Sequence, residues 1–227
     1  RDEGKTPVVD RAALESGIAA ITRTWADGLK DQIAVLHAGD RGRALGARYG
    51  EAFSASYREA FTPEQAVADI RVIEGLTADR PRAVDFYNRG EESHRIHLKL
   101  FVRGQPIPLS LRVPVLENIG FRVLNERTYQ IEPASAAEAD RVWMHDMLIE
   151  QPSGAAIDLS KLETALRATL LAVLSGEAES DPLNALSLAA DLPWRSIAML
   201  RTLIRYLRQL AIPYTLMALG MTLLCIQ

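Results

Sequence analysis

A chain of 227 residues, 48% hydrophobic and 24% charged, has enough apolar material for a buried core and one or two domains. A formal net charge of -3 and a pI near 5.9 exclude a general nucleic-acid binder, which needs a concentrated basic face. One cysteine, Cys225, excludes an internal disulfide, and the first residues lack the basic-then-apolar order of a secretory signal, so a reducing cytoplasm is the expected location.

In chain order, Leu14, Ile18, Ile21, Trp25, Leu29, Ile33 and Leu36 recur at intervals of three or four, which predicts an amphipathic helix over 10–36. Leu45, Tyr49, Phe53, Tyr57 and Phe61 recur every fourth residue. This stripe is expected to wind slowly around a second helix, its rings serving as packing groups rather than ligand platforms. It is also read as a surface for material outside this chain. Thr62-Pro63-Glu64-Gln65 has the hydroxyl, the N1 proline and the N3 amide of a capping box, so a third helix is expected to run to about Gly75.

From Arg82 the period changes to two. AVDFYNR and HRIHLKLFVR, separated by Gly90-Glu91-Glu92-Ser93, predict a β-hairpin with Ile96, Leu98, Leu100 and Val102 on one face. A helix over 109–119 follows, with Ser110 as N-cap, Pro114 in its fourth position and Gly120 as terminator. FRVLNERTYQI and RVWMHDMLI predict two further strands. DLSKLETALRATLLAVL predicts a helix from about Asp158 to just before Gly176. The order is β-β-α-β-β-α.

Beyond Gly176, Asp181-Pro182 and Asp191-Leu192-Pro193 mark helix starts, and Ile197, Leu200, Ile204 and Leu207 form an apolar face. Arg201, Arg205 and Arg208 form a basic stripe, expected to be solvated or to meet an acidic partner. Residues 211–226 carry no charge but are too short for a membrane span and contain Pro213 and Gly220, so no membrane partner is expected. A first residue other than methionine and an end inside this apolar run are read as signs of a longer polypeptide.

No HExxH, CxxC, G-x-S-x-G, G-x-G-x-x-G or P-loop is present. The four histidines do not converge: His94 and His97 alternate across a strand, and His37 stands alone. His145 sits beside Asp146 and is assigned a structural or surface role. No metal, catalytic or cofactor-binding residue is therefore assigned. The loop Arg103-Gly104-Gln105-Pro106-Ile107-Pro108 is the most suggestive stretch. A strand-to-helix loop in a small α+β module can hold a carboxylate on backbone and helix N–H groups. Arg103, Gly104, Gln105 and Ser110 are the effector-binding candidates: glycine for close approach, glutamine for an amide or carboxylate, and the N–H groups after Ser110 for an anion.

LENIGFRVLNERTYQI, VWMHDM and SGEAESDPLNALSLAADLPWRSIAMLRTLIRYLRQL together resemble the region before the catalytic domain of the large bacterial NAD-dependent glutamate dehydrogenases. The resemblance spans at least residues 45–210. It implies an intact enzyme that oxidises L-glutamate to 2-oxoglutarate and ammonium with NAD, and a non-catalytic, cofactor-free segment here. Its partners would be other domains of the same polypeptide, a homo-oligomer and an amino-acid effector. The implied class is α+β: a helical segment over 1–80, an ACT-like (ferredoxin-like) module over 81–176 and a helical motif over 177–227. An ACT-like unit runs β-α-β-β-α-β, whereas here an extra strand comes first and the last is missing. The extra strand is expected to fill the vacant edge of a four-stranded antiparallel sheet with both helices on one face. Phe86, Phe101, Leu124 and Trp143 are expected on the other face, under some cover.

Overall fold

The computed structural model describes residues 24–209 apart from residue 91. Residues 10–23 of the first predicted helix and the apolar run 211–226 with Cys225 lie outside the described residues. Within them the helix begins only at Trp25, because Thr24 is an extended N-cap, so one continuous helix over 10–36 is not what the chain forms. Two compact units emerge: residues up to Arg71 with Glu132–Ser135, and Val72–Ile131 with the chain from Ala136 onward.

The first unit contains α1 (Trp25–Leu36), α2 (Asp40–Tyr49) and α3 (Ala55–Ala60), and most of α4 (Pro63–Glu74). Thr24 caps α1 reciprocally: the Asp27 N–H donates to its hydroxyl at 3.2 Å, and its own N–H donates to Asp27 Oδ2 at 3.0 Å. Thr62 and Gln65 form the predicted box at the head of α4, at 3.0 and 3.4 Å. The four-residue aromatic stripe does not lie on one helix. The chain leaves the helix at Gly50 and re-enters it after Ser54, whose hydroxyl accepts the Tyr57 N–H.

That break turns a drifting stripe into a stack. Phe53 and Tyr57 lie 4.5 Å apart, Tyr57 and Phe61 4.7 Å, and Trp25 meets Phe53 and Tyr57 edge-on at 5.5 and 6.1 Å. Each such pair adds about 0.5–1.5 kcal/mol beyond area burial. The Trp25 indole donates to the Phe61 carbonyl at 2.8 Å, and the Tyr57 hydroxyl donates to buried Asp69 at 2.6 Å. Tyr49, Phe53, Tyr57 and Phe61 are all buried in the chain itself, so the stripe is core rather than a surface for absent material. The segment after the third strand joins this unit through Glu132 N–H to Ala52 and Ala134 N–H to Arg48 carbonyls, at 2.9 and 2.7 Å.

The second unit is built on β1 (Arg82–Tyr87), β2 (Arg95–Arg103), α5 (Leu109–Ile119), β3 (Arg122–Ile131), β4 (Val142–Glu150) and α6 (Leu159–Leu174). The four strands form an antiparallel sheet of order β1-β2-β4-β3. The extra strand β1 thus occupies the edge beside β2, where the missing strand would lie. The predicted face of β2, Ile96, Leu98, Leu100 and Val102, packs with Met147 and Ile149 against Val115, Leu116 and Ile119 of α5 and Leu166, Leu170 and Val173 of α6. Both helices therefore cover one face, as alternation dictates.

Phe86 and Trp143 are on that same helix-covered face, contrary to expectation: Phe86 pairs with Leu98 and Trp143 with Val102, and directly opposed residues share a face. The opposite face carries buried Phe101, Tyr129, Ile131 and Met144, while Leu124, at a register shift between Val123 and Asn125, is exposed.

The predicted N-cap of α5 also moves. Pro108 occupies that position, its carbonyl accepting the Leu111 and Arg112 N–H groups at 3.0 and 3.2 Å, so Ser110 lies inside the first turn. Proline pre-sets an extended backbone there without needing a donor. Pro114 consequently sits at the sixth rather than the fourth position. Gly120 ends the helix in the left-handed region (φ 105), with Phe121 N–H returning to the Leu116 carbonyl at 3.0 Å. Alanine at 120 adds a strained φ and places Cβ 3.4 Å from Leu188. Gly120→Ala is expected to cost about 1–2 kcal/mol, read as a drop of several degrees in thermal midpoint.

After α6, a 3-10 turn (Pro182–Ala185), the short α7 (Leu186–Ala189) and α8 (Trp194–Gln209) complete the described chain. Leu183, Leu186, Ile197 and Ile204 bury together, with Leu200 against them. Among the described residues no helix is long and apolar enough to cross a membrane.

Candidate functional site

The strand-to-helix loop turns sharply because Gly104 adopts φ 92. A side chain there would have space, with its nearest neighbour the Ala139 carbonyl at 3.7 Å; the backbone conformation is what calls for glycine. Both backbone groups of Gly104 are occupied: its N–H donates to the Arg141 carbonyl at 2.8 Å and its carbonyl accepts the Trp143 indole N–H at 3.0 Å. Arg103 forms a salt bridge with Asp140, its Nε donating at 3.0 Å. Gln105 and Ser110 are exposed.

The proposed anion cradle is therefore narrower than the sequence implied. The N–H groups of Leu111 and Arg112, those following Ser110, already bond Pro108. Pro106 and Pro108 contribute none. Open to a ligand are the Gln105 amide, the Ser110 hydroxyl, the first N–H groups of α5 at Leu109 and Ser110, and the exposed side chains of Leu109 and Leu111. Arg103 is committed to Asp140.

One turn further on, α5 delivers Arg112 into a polar network that the sequence reading passed over. Arg112 is buried, and its Nη1 donates to Glu126 Oε1 at 2.6 Å. The Thr128 hydroxyl lies 2.8 Å from both Glu126 Oε1 and His145 Nδ1, and His145 is 1% exposed. Burial, reinforced by the Arg112 charge and only partly offset by Glu126, pushes His145 down to about 4. Burial alone would raise Glu126, but the Thr128 and Arg112 hydrogen bonds outweigh it and hold the carboxyl below its ordinary value. At neutral pH the network is thus a carboxylate, a guanidinium and a neutral imidazole.

The neighbouring void, lined by Arg112, Leu100 and Met147 among others, measures about 10 Å³, room for at most one water. Arg112 Nε and His145 Nε2 are buried without protein partners. The network fixes α5 on β3 and β4; it has no space for a substrate. The sequence shows only that Glu126 and Thr128 alternate on β3; it is the antiparallel register that sets Thr128 opposite His145. Elsewhere, His97 and Tyr87 meet around Asp146, with the Tyr87 hydroxyl donating at 2.6 Å and the two rings stacked at 4.8 Å. His94 lies 3.4 Å from Glu92. Among the described residues no group of His, Cys, Asp and Glu is arranged to hold a metal ion.

A β-α-β-β-α order, one added edge strand and two helices on one sheet face define an ACT-like module of α+β class. Family models for three glutamate dehydrogenase regions match this chain: helical motif 2 over 33–76, the ACT3 domain over 81–162 and helical motif 3 over 178–225. The chain belongs to the NAD-specific glutamate dehydrogenase family. It is similar to proteins of that name from Halomonas elongata (35% identical over 212 residues), Pseudomonas aeruginosa (34% over 211) and Mycobacterium tuberculosis (31% over 211). These alignments cover 91–92% of this chain and 13% of each relative.

The residues described do not fit the dinucleotide that the family name implies. A pyrophosphate needs consecutive backbone N–H groups at a glycine-rich turn into a helix. Here the β2–α5 turn offers one glycine, whose N–H is taken, and two prolines.

Proposed function

We propose that this chain is a regulatory and scaffolding region of a cytoplasmic NAD-dependent glutamate dehydrogenase. The intact polypeptide would convert L-glutamate and NAD to 2-oxoglutarate, ammonium and NADH, and this region would not turn over substrate alone. One observation carries the reading: the ACT-type sheet is flanked in sequence by helical motifs, and its principal buried charged groups are consumed in internal pairing. Its working partners are then other domains of the same polypeptide and, in the assembled enzyme, further copies of it. Residues 1–80 form the leading helical segment, 81–176 the ACT-like module and 177–227 the trailing motif.

A second reading, sensing of a free amino acid by the 103–110 loop, is favoured by the exposed Gln105 and Ser110 beside an α5 first turn with no acidic residue. Thermal unfolding of the chain against a panel of amino acids, NAD and 2-oxoglutarate separates the two. A ligand at about a hundred times its dissociation constant adds roughly 2.7 kcal/mol, a shift of several degrees. A selective shift abolished by Gln105→Ala makes the loop a sensor. Millimolar ligands with no effect leave the scaffold role. NADH production from glutamate by the chain alone overturns both.

A further inference from the structure

Beside the C-terminal turns of α6, an open cleft of about 290 Å³ is formed by the segment Asp79–Arg82, those turns and the start of α8. Arg80, Arg82 and Arg195 all line it, and among the described residues none of the three is salt-bridged to a carboxylate. Several other arginines of this unit are committed, among them Arg103 to Asp140, Arg112 to Glu126, Arg167 to Asp85 and Glu163, and Arg201 to Asp181. The Arg82 Nε is buried and has no hydrogen-bond partner, while the Arg195 guanidinium lies over the Trp194 ring at 4.3 Å. A buried guanidinium donor left without an acceptor is costly unless something outside the chain supplies one.

We infer that this cleft binds a small phosphate monoester, or phosphate itself, its oxygens held by Arg80, Arg82 and Arg195 and its organic body against Leu171 and Trp194. Guanidinium forks match phosphate oxygens in pairs. The 16-residue α8 opens at the cleft with no acidic residue in its first turn, and the first hydrogen bonds to Pro193 start only from Ser196 and Ile197. Its positive end therefore adds to the arginines. The opposing end of α6 is closed internally, because the N–H groups of Ser175, Glu177 and Gly176 cap the carbonyls of Leu171, Ala172 and Val173 at 2.9, 2.8 and 3.1 Å. Asp79 and Glu177 also line the cleft. Against three arginines they leave one net positive charge, which favours a single phosphate over a di- or triphosphate. The volume lies at the lower edge of small-molecule sites, too small for a dinucleotide. This site is separate from the 103–110 loop and does not rest on the sensor reading.

The test titrates the whole chain with inorganic phosphate, glucose 6-phosphate and glucose, followed by calorimetry and tryptophan fluorescence. Glucose 6-phosphate is expected to bind saturably and glucose not at all. Free phosphate matching the ester identifies phosphate itself as the ligand; weaker free phosphate identifies an ester. Arg82→Gln and Arg195→Gln should each weaken binding by about tenfold or more. Arg195 is exposed, so that variant should fold, and circular dichroism checks both. Trp194→Phe should remove the fluorescence response while leaving the calorimetric signal. Absence of saturable binding up to about 10 mM, or undiminished binding in the Arg82/Arg195 double variant, overturns the assignment.

Discussion

Replacing Arg201 by alanine is expected to lower the thermal midpoint by roughly 6–12 °C, corresponding to about 3 kcal/mol in a chain of this size. Arg201 is 3% exposed on α8. Its Nε donates to Asp181 Oδ2 at 2.5 Å and its Nη2 to Asp181 Oδ1, Asn184 Oδ1 and the Glu179 carbonyl at 3.0, 2.9 and 3.4 Å. The same Asp181 caps the 3-10 turn by accepting the Leu183 N–H at 3.0 Å. Removing the guanidinium thus strands the Asp181 carboxylate and the Asn184 amide oxygen at once and loosens the cap, while the Glu179 carbonyl keeps the Asn184 amide N–H at 2.9 Å. The estimate sits at the low end for a broken buried pair because the Asp181 side chain keeps 21% exposure. Arg201→Lys, a point donor without the fork, should recover only part. Arg205, one turn on, pairs with Glu179 in solvent, and Arg205→Ala should give no resolvable shift. A fall no larger for Arg201→Ala than for Arg205→Ala would contradict this account. In a double-mutant cycle the Asp181→Ala and Arg201→Ala effects should be less than additive.

Arg201 also marks the limit of what periodicity can reveal. Its spacing with Arg205 and Arg208 placed it on a basic face, which reads as solvent or as a partner's surface. Its acidic partners are local, supplied by the Glu179-Ser180-Asp181 turn, and only the path of the chain after Gly176 brings them across α8. The sheet was legible because alternation in β2 and the glycines at turns are local signals. The placement of β1 followed from needing a hairpin partner at a vacant edge. The helix break at Gly50 was hidden because a four-residue aromatic spacing survives when two short helices replace one. Ser110 was chosen for its hydroxyl, yet Pro108 began the helix, since a cap position can be filled by backbone conformation alone. The Arg112–Glu126–His145 network was missed for want of register: each residue is unremarkable until α5, β3 and β4 are superposed. In the loop itself, Gly104 is expected to let a ligand approach the backbone; the structure gives the glycine a different reason, its positive φ, and turns its hydrogen bonds inward.

The stability of the second unit is expected to fall by about 3 kcal/mol as the pH drops from 6.5 to 4, through His145 alone. The imidazole is held neutral in the fold, with its pKa down at about 4, because burial and the Arg112 charge both oppose a proton there. In the unfolded chain it titrates near the ordinary histidine value, about 6.5. Between those values the unfolded state binds the extra proton and the folded state does not, so acidification favours unfolding; below the lower value both are protonated and the loss stops growing. Glu126 acts in the same direction at still lower pH. Its carboxyl is held below its ordinary value by Thr128 and Arg112, so its contribution is present above the unfolded carboxyl pKa and is lost as pH falls through the folded one. Urea unfolding of the parent chain and of His145→Gln at pH 7, 5.5 and 4 isolates the histidine. The gap between the two proteins should narrow by about 3 kcal/mol across that range. If the variant fails to fold, the imidazole resonances of the parent report the same quantity. A His145 ring that protonates at pH 6 or above would show that Glu126, not burial and Arg112, sets its charge.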